Sequence, residues 1–349
     1  MLTEQKVIEA LHNLQDPFLH KSLEETNGIL EVKIKPEKNH VSVKIAIAKT
    51  GTGEQMQFQG KIVELLKNAG ADTVGIRFAE LPAEELAKHR ASSPPEDLGL
   101  LSPGNKTQFI AIASGKGGVG KSTISVNFAT ALARLGKKVG LVDADIYGFS
   151  VPDMMGITKR PVVRGEKIIP VERFGVKVIS MGFFVEDNAP IIWRGPMLGK
   201  MLNSFFNEVE WGELDFLVLD LPPGTGDVAL DVHNMLPSCK EIIVTTPHPT
   251  AAFVAARAGA MAIKTNHEVI GVIENMSYFE SQVTEEKEYV FGQGGGKKLA
   301  EELQTQLLGQ LPLQQPDWNE DDFAPSIYAE DHKLGLIYTD IARKVVNIL

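Results

Sequence analysis

Apolar and polar positions along the chain change their periodicity near residue 108. From there on, short apolar runs of the kind that form buried parallel strands alternate with segments of helical spacing. The apolar runs lie at residues 109–114, 138–142, 216–219, 241–246 and 269–273. Helical patterns follow residue 123 and lie near residues 197–208, 227–236, 250–264, 296–306 and 334–348. This alternation predicts an α/β fold with a doubly wound, mostly parallel sheet, which binds ligands at the carboxyl ends of its strands.

The N-terminal region has a different order of patterns. Apolar residues at helical spacing open the chain, two alternating strands follow around a turn at residues 36–39, and a second helix and a third strand complete the set. Residues 91–106 are rich in Pro, Ser and Gly, which is typical of a linker. We therefore expect a small α/β domain at residues 1–90, a linker at 91–106 and a second domain at 107–349.

One glycine-rich loop joins the first apolar run of the second domain to its first helix. It satisfies the phosphate-binding pattern G-x-x-x-x-G-K-[ST] in strand–loop–helix context and consists of Gly115, Lys116, Gly117, Gly118, Val119, Gly120, Lys121, Ser122 and Thr123. Glycines let backbone N–H groups surround phosphate oxygens, and the helix N-terminus adds positive potential. Lys121 is expected to reach the β- and γ-phosphates and the Ser122 hydroxyl to bind Mg²⁺, so the cofactors predicted are ATP and Mg²⁺.

Three carboxylates follow apolar strands: Asp143, Asp145 and Asp220. A carboxylate at the end of a buried strand is costly unless it meets a cation, and the Mg²⁺ of a bound nucleotide is the natural partner. Any one of them alone could equally be a turn residue or a helix cap. Three in one nucleotide-binding fold favour a metal and catalytic site.

Composition restricts the class of protein. The chain has 349 residues, of which 43% are hydrophobic and 23% charged, as in ordinary globular proteins. No apolar run approaches the roughly 18 residues of a membrane span, and the first residues lack the order of a signal peptide, so we expect a cytoplasmic protein with no membrane partner.

The net charge of −10 opposes nonspecific binding to nucleic acid, although a local basic patch formed on dimerisation remains open. The single cysteine, Cys239, excludes an intrachain disulfide and a cysteine-based metal site within one chain.

The second residue of the loop, Lys116, is not needed by a generic phosphate-binding loop. With it, the loop resembles the deviant Walker A motif of the MinD/ParA/NifH class of P-loop NTPases, in which this lysine reaches the nucleotide of a partner subunit. The resemblance implies a homodimer with nucleotide at its interface and makes Lys116, Lys121 and Asp145 the catalytic residues, with Asp145 orienting the attacking water. It also implies Ser122, Asp143 and Asp220 as metal-site residues. A solvated loop lysine is the other interpretation of Lys116.

Four further motifs resemble the Mrp/NBP35 (ApbC-like) family of P-loop ATPases, which carry iron–sulfur clusters. They are L-P-P-G-T-G-D at residues 221–227, D-I-Y-G-F-S-V-P at 145–152, W-R-G-P-M at 193–197 and E-N-M-S-Y at 274–278. The resemblance implies that Asn275 contacts adenine. The N-terminal region resembles the MIP18-type (DUF59) domain of iron–sulfur assembly proteins.

The chain departs from this family at one place. Most members follow E-N-M-S-Y-F with C-P-x-C, and this chain has no cysteine there, which argues against a bound iron–sulfur cluster. Our first expectation is therefore an ATP-controlled regulator that binds another macromolecule, including DNA, similar to the SalA-type members. The alternative is an iron–sulfur cluster carrier that serves apo iron–sulfur proteins. A partitioning protein is a third possibility, which the Mrp motifs disfavour.

Overall fold

The chain forms two compact units, Met1–Glu96 and Asp97–Leu349. A computed structural model describes residues 3–19, 21–50, 53–82, 85–86, 100–102, 104–145, 148–165, 167–184, 195–281, 283–284, 286–314, 316 and 326–349. Most of the predicted linker, residues 146–147 of the D-I-Y-G-F-S-V-P motif and residues 193–194 of W-R-G-P-M lie outside these ranges. The predicted domain boundaries remain predictions.

The first unit is a small sheet with helices packed on it. Its elements are α1 (Glu4–His12), β1 (Ile29–Lys35), β2 (His40–Ile47), α2 (Gly53–Asn68) and β3 (Thr73–Glu80). The strands lie in the order β1-β2-β3, with the first pair antiparallel and the second parallel. Alternate residues of β2 point into a core that includes Val7 and Leu11 of α1 and Ile62 of α2. The elements follow the predicted order, while membership of the MIP18-type class remains a prediction.

The second unit is built on a mostly parallel sheet. Its strands are β4 (Gln108–Ser114), β5 (Val139–Asp143), β6 (Val162–Arg164), β7 (Lys167–Ile169), β8 (Val171–Arg173), β9 (Val176–Ser180), β10 (Phe216–Asp220), β11 (Lys240–Thr245), β12 (Glu268–Glu274), β13 (Phe279–Glu280), β14 (Lys287–Glu288) and β15 (Leu307–Gln310). Its helices are α3 (Lys121–Arg134), α4 (Val151–Met154), α5 (Gly195–Asn207), α6 (Asp227–Met235), α7 (Pro249–Lys264), α8 (Gly295–Glu302) and α9 (Lys333–Ile348).

In the described residues the main sheet runs in the order β15-β12-β11-β4-β10-β5-β9-β8, and only β8 is antiparallel to its neighbour. Every residue of β5 and β10 is buried, because helices cover both faces of the sheet. The chain winds from β4 towards β9, returns at β10 and continues on the other side of β4 with β11, β12 and β15. This change of direction creates the crevice in which such folds bind their ligands. The five strands and the main helices predicted for this unit are confirmed.

No helix within the described parts of the chain is both long and apolar enough to cross a membrane.

Candidate functional site

The phosphate-binding loop lies between β4 and α3, at the carboxyl edge of the sheet. Gly118 and Gly120 have φ angles of +79° and +81°, which side chains rarely tolerate, so both turns of the loop require glycine. At Gly115 a Cβ atom would lie 2.3 Å from the backbone of Val254 on α7. The loop and its neighbours enclose a cavity of about 240 Å³ that Asp145 also lines. The residue types required by the motif thus form a concave site at the carboxyl edge of the sheet.

Lys121 is buried among carboxylates at this cavity. Its Nζ lies 2.7 Å from Asp220 Oδ1 and 3.7 Å from Asp145 Oδ2, and it contacts Ser122 Oγ at 3.4 Å. The single ammonium charge offsets part of the negative charge of these two carboxylates. An incoming phosphate therefore competes with Asp220 for this cation.

Asp220 is the last residue of β10, and only one of its two carboxylate oxygens has hydrogen-bond partners among the described residues. Its Oδ1 accepts hydrogen bonds from Lys121 Nζ and Ser125 Oγ, each at 2.7 Å. Its Oδ2 is buried and has no hydrogen-bond partner among the described residues. A buried carboxylate oxygen without a partner is expensive, and a cation or a cation-bound water would satisfy it. Asp220 and the neighbouring Ser122 thus fit a Mg²⁺ ion.

Asp143 lies beside Asp220, because β5 and β10 pair these two residues in register. Its Oδ2 accepts hydrogen bonds from Ser180 Oγ at 2.8 Å and Val151 N at 3.3 Å, and its Oδ1 accepts one from the backbone of Asp145 at 3.2 Å. Burial, with the Asp220 carboxylate adjacent, raises the pKa of Asp143 to about 7. Both oxygens are engaged by the protein, which favours support of the strand ends over direct metal binding.

The other predicted site residues line this cavity or, in the case of Asn275, pack against the loop that lines it. Burial raises the pKa of Asp145, opposed by the nearby Lys121. Lys116 is exposed on the cavity wall, and no described side chain forms an ion pair with it. Asn275 follows β12 and its Nδ2 donates to Val119 O of the loop at 2.9 Å. The fold therefore brings together all the residues predicted for nucleotide, metal and catalysis, and their individual roles remain predictions.

Two supporting residues were missed from the sequence. Ser125 lies one helical turn after Lys121, so the spacing i, i+4 could have placed its hydroxyl near Asp220. Ser180 ends β9, a strand that the apolar pattern did not predict, and no signal in the sequence pointed to its contact with Asp143.

Cys239 offers no metal site. It is 1% exposed, and burial raises the pKa of its thiol, with the nearby Glu241 carboxylate adding to the effect. Within the described part of the chain, no three His, Cys, Asp or Glu side chains are grouped so that they could hold a metal ion. Where the family's cysteine pair would follow the E-N-M-S-Y motif, this chain has the short antiparallel hairpin β13–β14.

The model of the ParA family, described as NUBPL iron-transfer P-loop NTPase, matches residues 105–346. The chain belongs to this family. An iron-sulfur cluster carrier protein of Bacillus subtilis (strain 168) is 69% identical over 345 residues, which cover 99% of this chain and 98% of the relative. The protein of the same name from Mycobacterium leprae (strain TN) is 39% identical over 88% of this chain and 82% of its own length.

Two solved structures extend the comparison. A nucleotide-binding protein from Archaeoglobus fulgidus, solved in complex with ADP, is 35% identical and has a TM-score of 0.53 over 68% of this chain and 87% of its own. The cell division ATPase MinD of Pyrococcus furiosus has a TM-score of 0.52 over 69% of this chain and 99% of its own, and at 20% identity it shows the fold alone. The prediction of a MinD/ParA-like P-loop NTPase fold is confirmed, as is the resemblance to the Mrp/NBP35 family.

These relatives correct our first expectation for the function. We expected an ATP-controlled regulator that binds DNA, because the chain lacks the family's cysteine pair. That expectation is wrong: relatives that align with nearly the whole chain, at up to 69% identity, are named iron-sulfur cluster carrier proteins. The absence of the cysteine pair therefore does not indicate a regulator of transcription.

Proposed function

We propose that this chain is a Mg²⁺-dependent ATPase whose nucleotide cycle serves the delivery of iron–sulfur clusters to apo proteins. The observation that carries the ATPase part is the position of Lys121, buried between Asp220 and Asp145 at the mouth of the phosphate-binding loop. The delivery part is supported by the names of relatives that align with nearly the whole chain.

Each group of the site has a separate role in hydrolysis. Backbone N–H groups of the loop bind the phosphates, and Lys121 exchanges its contact with Asp220 for the β- and γ-phosphate oxygens. Ser122 and Asp220 Oδ2 would hold Mg²⁺, which when bound would neutralise charge on the phosphate oxygens. Asp145 accepts a hydrogen bond from the attacking water and orients it towards the γ-phosphorus.

A second copy of the chain completes the site. Lys116 is exposed at the cavity, where a cation from one protomer can reach the phosphates bound by its partner. Charge that develops on the γ-phosphate during hydrolysis would then be stabilised from both subunits, so that hydrolysis and dimerisation depend on each other.

The residues of this chain do not fit the ligand set of an iron–sulfur cluster. Clusters are held by thiolates, and the single thiol is buried with a raised pKa. We therefore assign to this chain the nucleotide-driven step, with the cluster as cargo whose ligands come from other proteins.

A deletion strain complemented with wild type or Lys121→Ala tests the proposal. Iron–sulfur enzymes should lose activity in the deletion strain, recover with wild type and remain low with Lys121→Ala, while iron-free enzymes stay constant. The purified wild-type protein should hydrolyse ATP only with Mg²⁺. Absence of hydrolysis would refute the ATPase assignment, and unchanged iron–sulfur enzymes beside a working ATPase would refute the delivery assignment.

A further inference from the structure

Asn275 packs against the phosphate-binding loop. Its backbone N–H donates to Thr245 O at 2.8 Å, its side chain is nearly buried, and its Nδ2 donates to Val119 O at 2.9 Å. A Cβ atom at Gly120 would lie 2.2 Å from the same Nδ2. The amide group of Asn275 therefore touches the peptide unit that joins Val119 to Gly120.

Because that peptide unit is planar, the contact with Asn275 also determines the direction of the Gly120 N–H group. In a trans peptide the C=O and N–H groups point in opposite directions. Because the Val119 carbonyl points to Asn275, the Gly120 N–H points away from it. Val119 and Gly120 line the cavity, and Asn275 is not among the described residues that do so. The contact thus turns the Val119 carbonyl towards Asn275 and leaves the Gly120 N–H on the opposite side of the peptide, free of this side chain.

The adjacent residue makes the position of Asn275 rigid. Glu274 is buried, and its carboxylate accepts hydrogen bonds from three donors: Ser277 Oγ at 2.8 Å, Gln310 Nε2 at 2.7 Å and Gly296 N at 2.5 Å. Met276 on the other side has a φ angle of +54°, a left-handed conformation that persists only where the surroundings fix it. Asn275 is therefore presented to the loop from a fixed turn.

We propose that Asn275 is a positioning residue, which orients the Val119–Gly120 peptide so that the loop is ready for phosphate before any nucleotide binds. The proposal rests on nucleotide binding by the loop, as proposed above. It differs from the adenine contact predicted from the sequence, because a residue that acts through the loop affects every ligand with a polyphosphate group, whatever its base.

Asn275→Asp tests the proposal, because the substitution keeps the shape of the side chain and replaces the donor with an oxygen that repels Val119 O. Affinities for ATP, GTP and inorganic triphosphate, measured by titration calorimetry with Mg²⁺, should all fall by a similar factor of about ten or more. Hydrogen exchange of residues 115–123 should become faster, with that of α6 unchanged. Asn203→Asp, an exposed residue on α5 that gains the same charge, is the control and should match wild type.

Other outcomes separate the competing roles. A loss for ATP alone, with GTP and triphosphate unchanged, would assign Asn275 to the base and overturn the proposal. Wild-type affinities for all three ligands in the folded variant would overturn it too. If Asn275→Asp does not fold, Asn275→Ala is measured in the same way and judged by the same criterion. Failure of wild type to bind any of the three ligands would instead refute the proposed function.

Discussion

At the scale of single residues, the loop carries two lysines in opposite environments. Lys121 is buried against Asp220 and Asp145, whereas Lys116 is exposed. Removal of Lys121 leaves adjacent buried carboxylates without a cation. Removal of Lys116 leaves no buried carboxylate unpaired among the described residues. The same substitution at these two positions therefore compares a buried lysine that contacts carboxylates with an exposed lysine that does not.

We expect Lys121→Ala to abolish ATP binding and to lower the free energy of unfolding of the nucleotide-free protein by about 3 kcal/mol. Lys116→Ala should change that free energy by less than about 0.5 kcal/mol, keep ATP binding and lower the rate of hydrolysis. Urea unfolding, calorimetric titration and phosphate release measure the three quantities. Equal loss of ATP binding in both variants would contradict the role of Lys116 across the interface.

At the scale of elements, a buried polar contact between two side chains attaches α6 to the sheet. His233 of α6 contacts the carboxylate of Glu241 on β11 through Nε2, and its Nδ1 lies 3.0 Å from Thr265 Oγ1. The imidazole ring also stacks on His267, with ring centroids 4.2 Å apart. Because α6 begins directly after the L-P-P-G-T-G segment that follows Asp220, this contact fixes the far end of the helix that follows the buried carboxylates.

Glu241→Ala should therefore destabilise the protein by about 1–3 kcal/mol, because it leaves the buried Nε2 of His233 without its hydrogen-bond partner. Glu268→Ala is the matched control: it breaks an exposed pair with Lys240 at the start of the neighbouring strand and should cost less than about 1 kcal/mol. Urea unfolding compares the two. Similar losses would show that the buried pair contributes no more than a surface contact.

The sequence predicted those elements whose signal is local. The loop and the strand-end aspartates were found because the motif and the buried strands are continuous in the chain. The short strands β6, β7 and β8 were missed, since their residues are largely exposed and give no apolar run. The pair of His233 and Glu241 was missed as well, because the histidines looked scattered until the fold brought them together. We misjudged the function because the missing cysteine pair shows only which cluster ligands this chain lacks. It gives no information about the macromolecule that the protein serves.

At the scale of the whole molecule, nucleotide should control association. Each chain carries a net charge of −10, so two copies repel each other unless specific contacts offset the repulsion. Asp145→Ala should bind ATP, hydrolyse it slowly and accumulate as a dimer, whereas the same variant without ATP should remain a monomer. Light scattering with and without ATP measures the mass. Adding Lys116→Ala should reduce the dimer, and a normal hydrolysis rate in Asp145→Ala would refute its role in orienting water.

The single buried cysteine determines how the whole molecule should respond to iron and sulfide. A cluster needs about four thiolates, and a dimer of this chain supplies two thiols that burial keeps protonated. Cys239 also precedes β11, whereas the family's cysteine pair follows β12. Anaerobic reconstitution of wild type should therefore give a colourless protein with less than one iron per chain.

The double variant Ser281→Cys and Thr284→Cys, which places a Cys-x-x-Cys pair in the β13–β14 hairpin, should gain the absorbance of a cluster. A stable cluster in wild type that disappears in Cys239→Ala would overturn the assignment of the cluster's ligands to other proteins.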